Sequence, residues 1–167
     1  VRLVAATPPA TANDQPWARG PYGFLVYSRD IRASLELARL DGATPSAVAG
    51  YRAGAKQMQE ARAVYPDGMV VVFVQVDDRR PSLLDHDDEA MHSEVHSITF
   101  VVDEVDAAVA RWEGLGLTTL VDLTIADPNV TGFMGLPRPE APVRIAMLAT
   151  PDQRPARLEL MTFPEDA

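Results

Sequence analysis

Imidazole and carboxylate groups are the side chains of this chain with the widest chemical reach. Its 167 residues include three histidines and 24 Asp plus Glu, and no cysteine, which excludes disulfides, thiolate metal sites and a cysteine nucleophile. His96 stands at the start of Val95-His96-Ser97-Ile98-Thr99-Phe100-Val101-Val102. Glu159 lies in Arg157-Leu158-Glu159-Leu160-Met161, where strand alternation separates Leu158 and Leu160 from Arg157, Glu159 and Met161. Asp85 belongs to the acidic run Asp85-His86-Asp87-Asp88-Glu89, followed by Met91-His92-Ser93-Glu94. A charge run of that kind usually forms a solvated linker, and His86 and His92 read as its surface residues. Nitrogen and carboxylate oxygen together can ligate a borderline or hard divalent ion, or move a proton.

The elements that would carry these groups are legible from periodicity. Residues 95–102 are rich in β-branched and aromatic side chains, with His96, Ile98 and Phe100 on one face at period two. A helix follows directly: Asp103, Glu104 and Asp106 put negative charge in its first turn, Val105, Val109 and Trp112 recur at helical spacing, and Gly114 and Gly116 end it. That spacing makes Trp112, like Met58, a core residue.

The same unit occurs earlier. At an offset of 74 residues, Tyr22-Gly23-Phe24-Leu25-Val26-Tyr27 lies on the strand of His96, Ala33 meets Ala107, Gly42 meets Gly116, and Asp85 meets Glu159. Each copy reads as strand, helix, then three strands, and the second occupies 95–102, 104–114, 118–125, 144–150 and 156–163. Counterparts in the first fall at 22–28, 30–41, 44–50, 69–76 and 82–86. Between them, Tyr51, Ala55, Met58 and Tyr65 suggest a short helix in the first copy, whereas the Pro- and Gly-rich 126–143 segment of the second reads as an irregular loop, a lid or an insertion. The expected division is 1–21 as an N-terminal strand and linker, 22–94 as the first module and 95–167 as the second. Arg2-Leu3 and Thr7 lie over Arg157-Leu158 and Thr162, so the first segment reads as the remnant of a preceding module in a longer protein, or as an extra edge strand.

With these two modules, the His96 motif ending in Gly114-Leu115-Gly116-Leu117, and the closing Pro151-Asp152-Gln153-Arg154-Pro155-Ala156-Arg157-Leu158-Glu159-Leu160, the sequence resembles the vicinal oxygen chelate superfamily over about residues 22–165. That superfamily includes glyoxalase I, extradiol dioxygenases, methylmalonyl-CoA epimerase, fosfomycin-resistance enzymes and the bleomycin-resistance binding proteins. The resemblance implies an α+β fold of two tandem βαβββ modules forming a cupped, mostly antiparallel mixed sheet. It implies a divalent metal ion (Mn, Fe, Ni, Zn or Mg) held in the cup by His96, Glu159 and Asp85, with His96 and Glu159 as the catalytic pair. Tyr22 stands where active members place His, Gln or Glu. Tyr22, Phe24, Phe100, Met161 and Phe133 would then contact a small-molecule substrate.

Two functions follow from the resemblance: a metal-dependent lyase or isomerase acting on a small oxygenated molecule, or a metal-free sequestering protein of the bleomycin-resistance type. An extradiol dioxygenase ranks below both, because no second histidine takes the Tyr22 position and Met147-Leu148-Ala149-Thr150 stands where those enzymes carry a tyrosine. Whether the copies pair within one chain or across a homodimer is open from sequence. The net charge of −9 argues against nucleic acid or anionic membrane as a partner and would suit a cationic ligand. No apolar run approaches transmembrane length and no signal segment opens the chain, so the cytoplasm is the default expectation.

Overall fold

Asp30 starts the first helix: its carboxylate accepts hydrogen bonds from the backbone N–H groups of Arg32 (2.9 Å) and Ala33 (3.1 Å). Helix α1 (Ile31–Leu40) therefore begins directly behind strand β1 (Gly20–Ser28). In this computed structural model, which describes residues 18–136, 138–151 and 156–164, the first half continues through β2 (Thr44–Pro45), β3 (Ala49–Ala53), β4 (Lys56–Val64) and β5 (Val70–Gln75). The second half comprises β6 (His92–Val101), α2 (Val105–Glu113), β7 (Thr118–Ile125), α3 (Pro128–Met134), β8 (Val143–Ala149) and β9 (Arg157–Thr162). The strand expected at residues 1–8 lies outside the described residues, as do residues 152–155 of the closing motif.

All nine described strands form one mixed sheet, in the order β2-β4-β5-β1-β6-β9-β8-β7 with β3 also paired to β4. β5 returns parallel to β1 and β9 parallel to β6, while every other pairing is antiparallel. Each half is thus a βαβββ unit, with β2 and β3 as two pieces of one interrupted strand. The halves join within the chain through β1 and β6, an arrangement the sequence left open.

Helices α1 and α2 cover one face of the sheet. Ile31, Leu35 and Ala38 of α1 pack on Ala61, Ala63 and Phe73. Val105 of α2 packs with Ala146, Leu148 and Leu160, and Val109 and Trp112 extend that cluster. Covering this face at roughly 25 cal/mol per Å² of apolar area drives the helices down and leaves the opposite face to form the cup. No helix among the described residues is long and apolar enough to cross a membrane.

Four local expectations are corrected by pairing. The helix expected between Tyr51 and Tyr65 is instead the β3–β4 hairpin, turning at Gly54. Its alternation puts Ala61 and Ala63 under α1 and Met58 and Glu60 toward the cup, and partners on both sides outweigh a four-residue coincidence with helical spacing. Residues 82–86 are not the last strand of the first half. They hold a 3-10 turn at Leu83–Asp85, and β5 takes that place. His92 is not a surface linker residue: it opens β6, half-buried, with Nε2 2.8 Å from Ser34 Oγ. The 126–143 segment, expected to be irregular, contains α3. Asp127 accepts from the Asn129 N–H at 2.8 Å, Pro128 occupies the first turn, and Gly135 closes the helix at φ 76°. Val130, Phe133 and Met134 are buried in the cup-side core, and Asn129 Nδ2 donates to Gly50 O at 3.0 Å, so the second half's helix covers the first half's strands.

Candidate functional site

The cup encloses a cavity of about 380 Å³ to which both halves contribute. Its walls are largely apolar, with Leu25, Val74, Leu123, Ile145 and Met147 among them, and the polar groups that enter it are few. Glu60 on β4 and Glu159 on β9 are 8% and 7% exposed and both line it. His96, Tyr27, Tyr51 and Arg157 line it as well, and Lys56, Asp78 and Arg80 stand in its exposed wall.

Two bulges aim the first-strand residues. Along the β1–β6 pairing, Pro21 faces Phe100 and Gly23 faces Thr99, so Tyr22 is an extra residue on β1. Leu25 faces Ser97 and Val26 faces Val95, so His96 is the corresponding extra residue on β6. A bulge re-aims one side chain without ending the ladder. His96 consequently joins the cup face of Thr99 and Val101, whereas Ile98 and Phe100 point to the α2 side. Simple alternation had placed His96 with Ile98 and Phe100. Gly23, beside the first bulge, is required by space, because a Cβ there would sit 2.5 Å from the Val70 carbonyl oxygen.

The electrostatics follow from burial. Glu60 is pushed up to about 8, chiefly by burial, against a hydrogen bond from the Tyr51 hydroxyl and with the Glu159 charge adding to the rise. Burial likewise raises Glu159 to about 7, although the Thr99 hydroxyl donates to its Oε1 at 2.9 Å and Arg157 is near. His96 is driven down to about 3 by burial and then by Arg157 and Arg80, and is therefore neutral near pH 7. Arg157 Nη1 lies 2.9 Å from His96 Nε2. A guanidinium only donates, so Nε2 carries the lone pair, Nδ1 carries the proton, and that proton faces Ser97 Oγ at 3.2 Å. The Tyr27 ring meets the imidazole edge-to-face at 4.4 Å between centroids and holds it in place.

Of the residues expected to act together, the cavity gathers His96 and Glu159, with Arg157 on the same strand face. Tyr22 and Met161 lie in the cup-side core; burial raises the Tyr22 phenol, whose neighbour is Arg62. Phe133 is in that core on α3. Phe100 packs beneath α2, and Phe24, next to cup-facing Leu25, alternates to the reverse face. Asp85 is not among the cavity residues. It accepts from the Ser82 N–H at 2.8 Å and from Arg79 at 2.6 Å, closing the 3-10 turn. Its match to Glu159 came from a gapless offset that the pairing does not keep. Leu25 pairs with Val72 as Thr99 pairs with Glu159, so Val72 is the counterpart of Glu159. Glu60 and Tyr51 escaped the sequence reading because their segment was assigned to a helix. The signal that could have found Glu60 is the alternation of Met58, Glu60 and Arg62 against Ala61 and Ala63.

A solved 4-hydroxymandelate synthase mutant from Streptomyces coelicolor aligns with the chain at TM-score 0.57 and 15% identity, covering 87% of this chain and 48% of that one. A glyoxalase I mutant from Zea mays aligns at TM-score 0.58 and 18% identity, covering 87% and 44%. Methylmalonyl-CoA epimerase from Mycobacterium tuberculosis aligns at TM-score 0.58 and 14% identity, covering 86% and 87%. The chain shares its fold with these three structures, the fold that the resemblance implied. The chain spans a little under half the length of the first two structures. No protein-family model and no curated protein matches the sequence.

The divalent ion that this fold family implies can be tested against the donors present. The second half offers His96 and Glu159, while the first offers Tyr22 and Val72 at the matching places, a buried phenol and a side chain with no donor atom. The His96 lone pair is occupied by a guanidinium. No group of three or more His, Asp or Glu residues among those described is arranged to hold a metal. The donor set does not fit a resident divalent ion.

Proposed function

We propose that the chain binds a small, largely apolar molecule in its cup without a resident metal, in the manner of the bleomycin-resistance-type proteins of this fold. The observation that carries this reading is the cavity itself: apolar walls around a few convergent polar groups. Glu60 and Glu159 would hydrogen-bond the buried end of the ligand. A lyase or isomerase that depends on a divalent ion is supported less, because the first half has only the Tyr22 phenol and Val72 at the places matching His96 and Glu159, and the His96 lone pair is taken by Arg157. A second reading has an observation in its favour. Two carboxyl groups whose proton affinities lie near neutrality share one largely apolar cavity, an arrangement suited to taking a proton from a carbon acid and returning it.

Elemental analysis of protein purified without chelator tests the proposal. The expected result is a divalent ion content far below one per chain, together with binding of 4-phenylbutan-1-ol that survives EDTA. One ion per chain, lost in both His96→Ala and Glu159→Ala, would overturn it in favour of the metal-dependent enzyme. Catalysed exchange of the α-proton of a ketone in D₂O, abolished in Glu159→Gln, would establish the proton-transfer reading.

A further inference from the structure

The charge at the cavity mouth is opposite to that of the protein. The chain carries a net −9, yet the cavity is lined by three cations, Lys56, Arg80 and Arg157, against one exposed acid, Asp78. Lys56 Nζ is spent on Asp78 at 3.1 Å. Among the described residues no carboxylate forms an ion pair with Arg80 or Arg157.

We propose that Arg80 and Arg157 form an anion clamp at the mouth of the cavity, so that the ligand is a small organic anion, with a carboxylate-type head on the two guanidiniums and an apolar body lying against Val74, Ile145 and Met147. This inference rests on the small-molecule binding proposed above and names the class of ligand. Three observations support it. Arg157 is held in place, donating to His96 Nε2 at 2.9 Å and reaching Met147 Sδ at 3.5 Å, so its remaining N–H groups are oriented before any ligand arrives. Arg80 lies near enough for its charge to act on both Arg157 and His96. Two guanidiniums brought together repel one another, and an anion between them removes that repulsion as it makes its own hydrogen bonds. His96 serves here as a positioning residue: a neutral imidazole accepts from Arg157 without adding to the repulsion, as a protonated one would. Glu60 and Glu159, the latter with its charge acting on Arg157, are more deeply buried than the exposed Arg80.

The test uses three probes of one shape, 4-phenylbutanoate, 4-phenylbutan-1-ol and 4-phenylbutan-1-amine, titrated calorimetrically into the full chain, Arg80→Gln, Arg157→Gln and the double variant. The butanoate is expected to bind at least about tenfold more tightly than the alcohol. That ratio should fall in each single variant and reach about one in the double. Arg80 is exposed, so Arg80→Gln keeps the test decisive even if Arg157→Gln does not fold. A butanoate no tighter than the alcohol would overturn the clamp and leave the binding reading standing. So would a preference for the amine, or a carboxylate preference that survives the double variant. Failure of all three probes to bind would overturn the clamp and the binding reading together.

Discussion

Replacing Glu60 by glutamine should make the protein more stable at neutral pH and flatten its loss of stability toward alkali. Glutamine keeps the size of the side chain and an oxygen to accept from the Tyr51 hydroxyl, so the substitution removes the ionisation and little else. The ordinary value for this carboxyl is 4.5, and burial with Glu159 nearby raises it to about 8 in the folded chain. Below 4.5 both folded and unfolded chains hold the proton. Between 4.5 and 8 the unfolded chain releases it while the folded chain retains it, so unfolding becomes more favourable as pH rises through that window and levels off above it. At about 1.4 kcal/mol per pH unit, the wild type forfeits about 3 kcal/mol by pH 7 and at most on the order of 5. Against a typical total of about 5–15 kcal/mol, that is readable. Urea unfolding of the two proteins between pH 5 and 8.5 is the assay, and the stability of Glu60→Gln relative to wild type should grow by about 3–4 kcal/mol across it. Glu159, raised to about 7, leaves a smaller slope of the same sign in the variant. Curves for wild type and variant that run parallel across this range would refute the reasoning, showing that Glu60 is ionised and solvated in the folded state.

Three further outcomes are expected. His96 should stay neutral in its Nδ1–H form down to at least pH 5 by ¹⁵N NMR, since burial and two guanidiniums hold it near 3; because the unfolded chain takes up that proton below 6.5, the group lowers stability as pH falls through that value, and a midpoint near 6.5 in the folded state would contradict the burial. Gly23→Ala should cost about 1–3 kcal/mol in thermal or urea unfolding, because the new methyl meets the Val70 carbonyl at 2.5 Å; an unchanged midpoint would mean that the strand moves away freely. Asp85→Asn should leave binding of 4-phenylbutan-1-ol unchanged in calorimetry, as its carboxylate caps the 3-10 turn and does not reach the cavity; loss of binding would return Asp85 to the site.

Much of this molecule could be read along one strand at a time. The strand and helix around His96, the duplicate at Tyr22, and the separation of Arg157, Glu159 and Met161 from Leu158 and Leu160 depend on periodicity and helix-end residues, which act over a few positions. The β3–β4 hairpin did not read that way, because Tyr51, Ala55, Met58 and Tyr65 satisfy a helical spacing by chance, and only β5 alongside β4 settles the matter. Glu60 went unseen for the same reason. Helix α3 carried its own signals, Asp127 before it, Pro128 in its first turn and Gly135 after it, within a segment whose Pro and Gly content argued for a loop.

By itself the sequence determined the repeated strand–helix unit, and hence the two-module α+β fold, because hydrophobic alternation and helix termini are local properties of the chain. Only the tertiary structure decided what faces the cup. The bulges at Tyr22 and His96 exist only as a count of residues between two paired strands. The equivalence of Val72 with Glu159 exists only as a register of parallel strands. The company of Glu60, Glu159, His96 and Arg157 in one cavity, with the proton affinities it imposes, arises from burial shared by strands far apart in sequence.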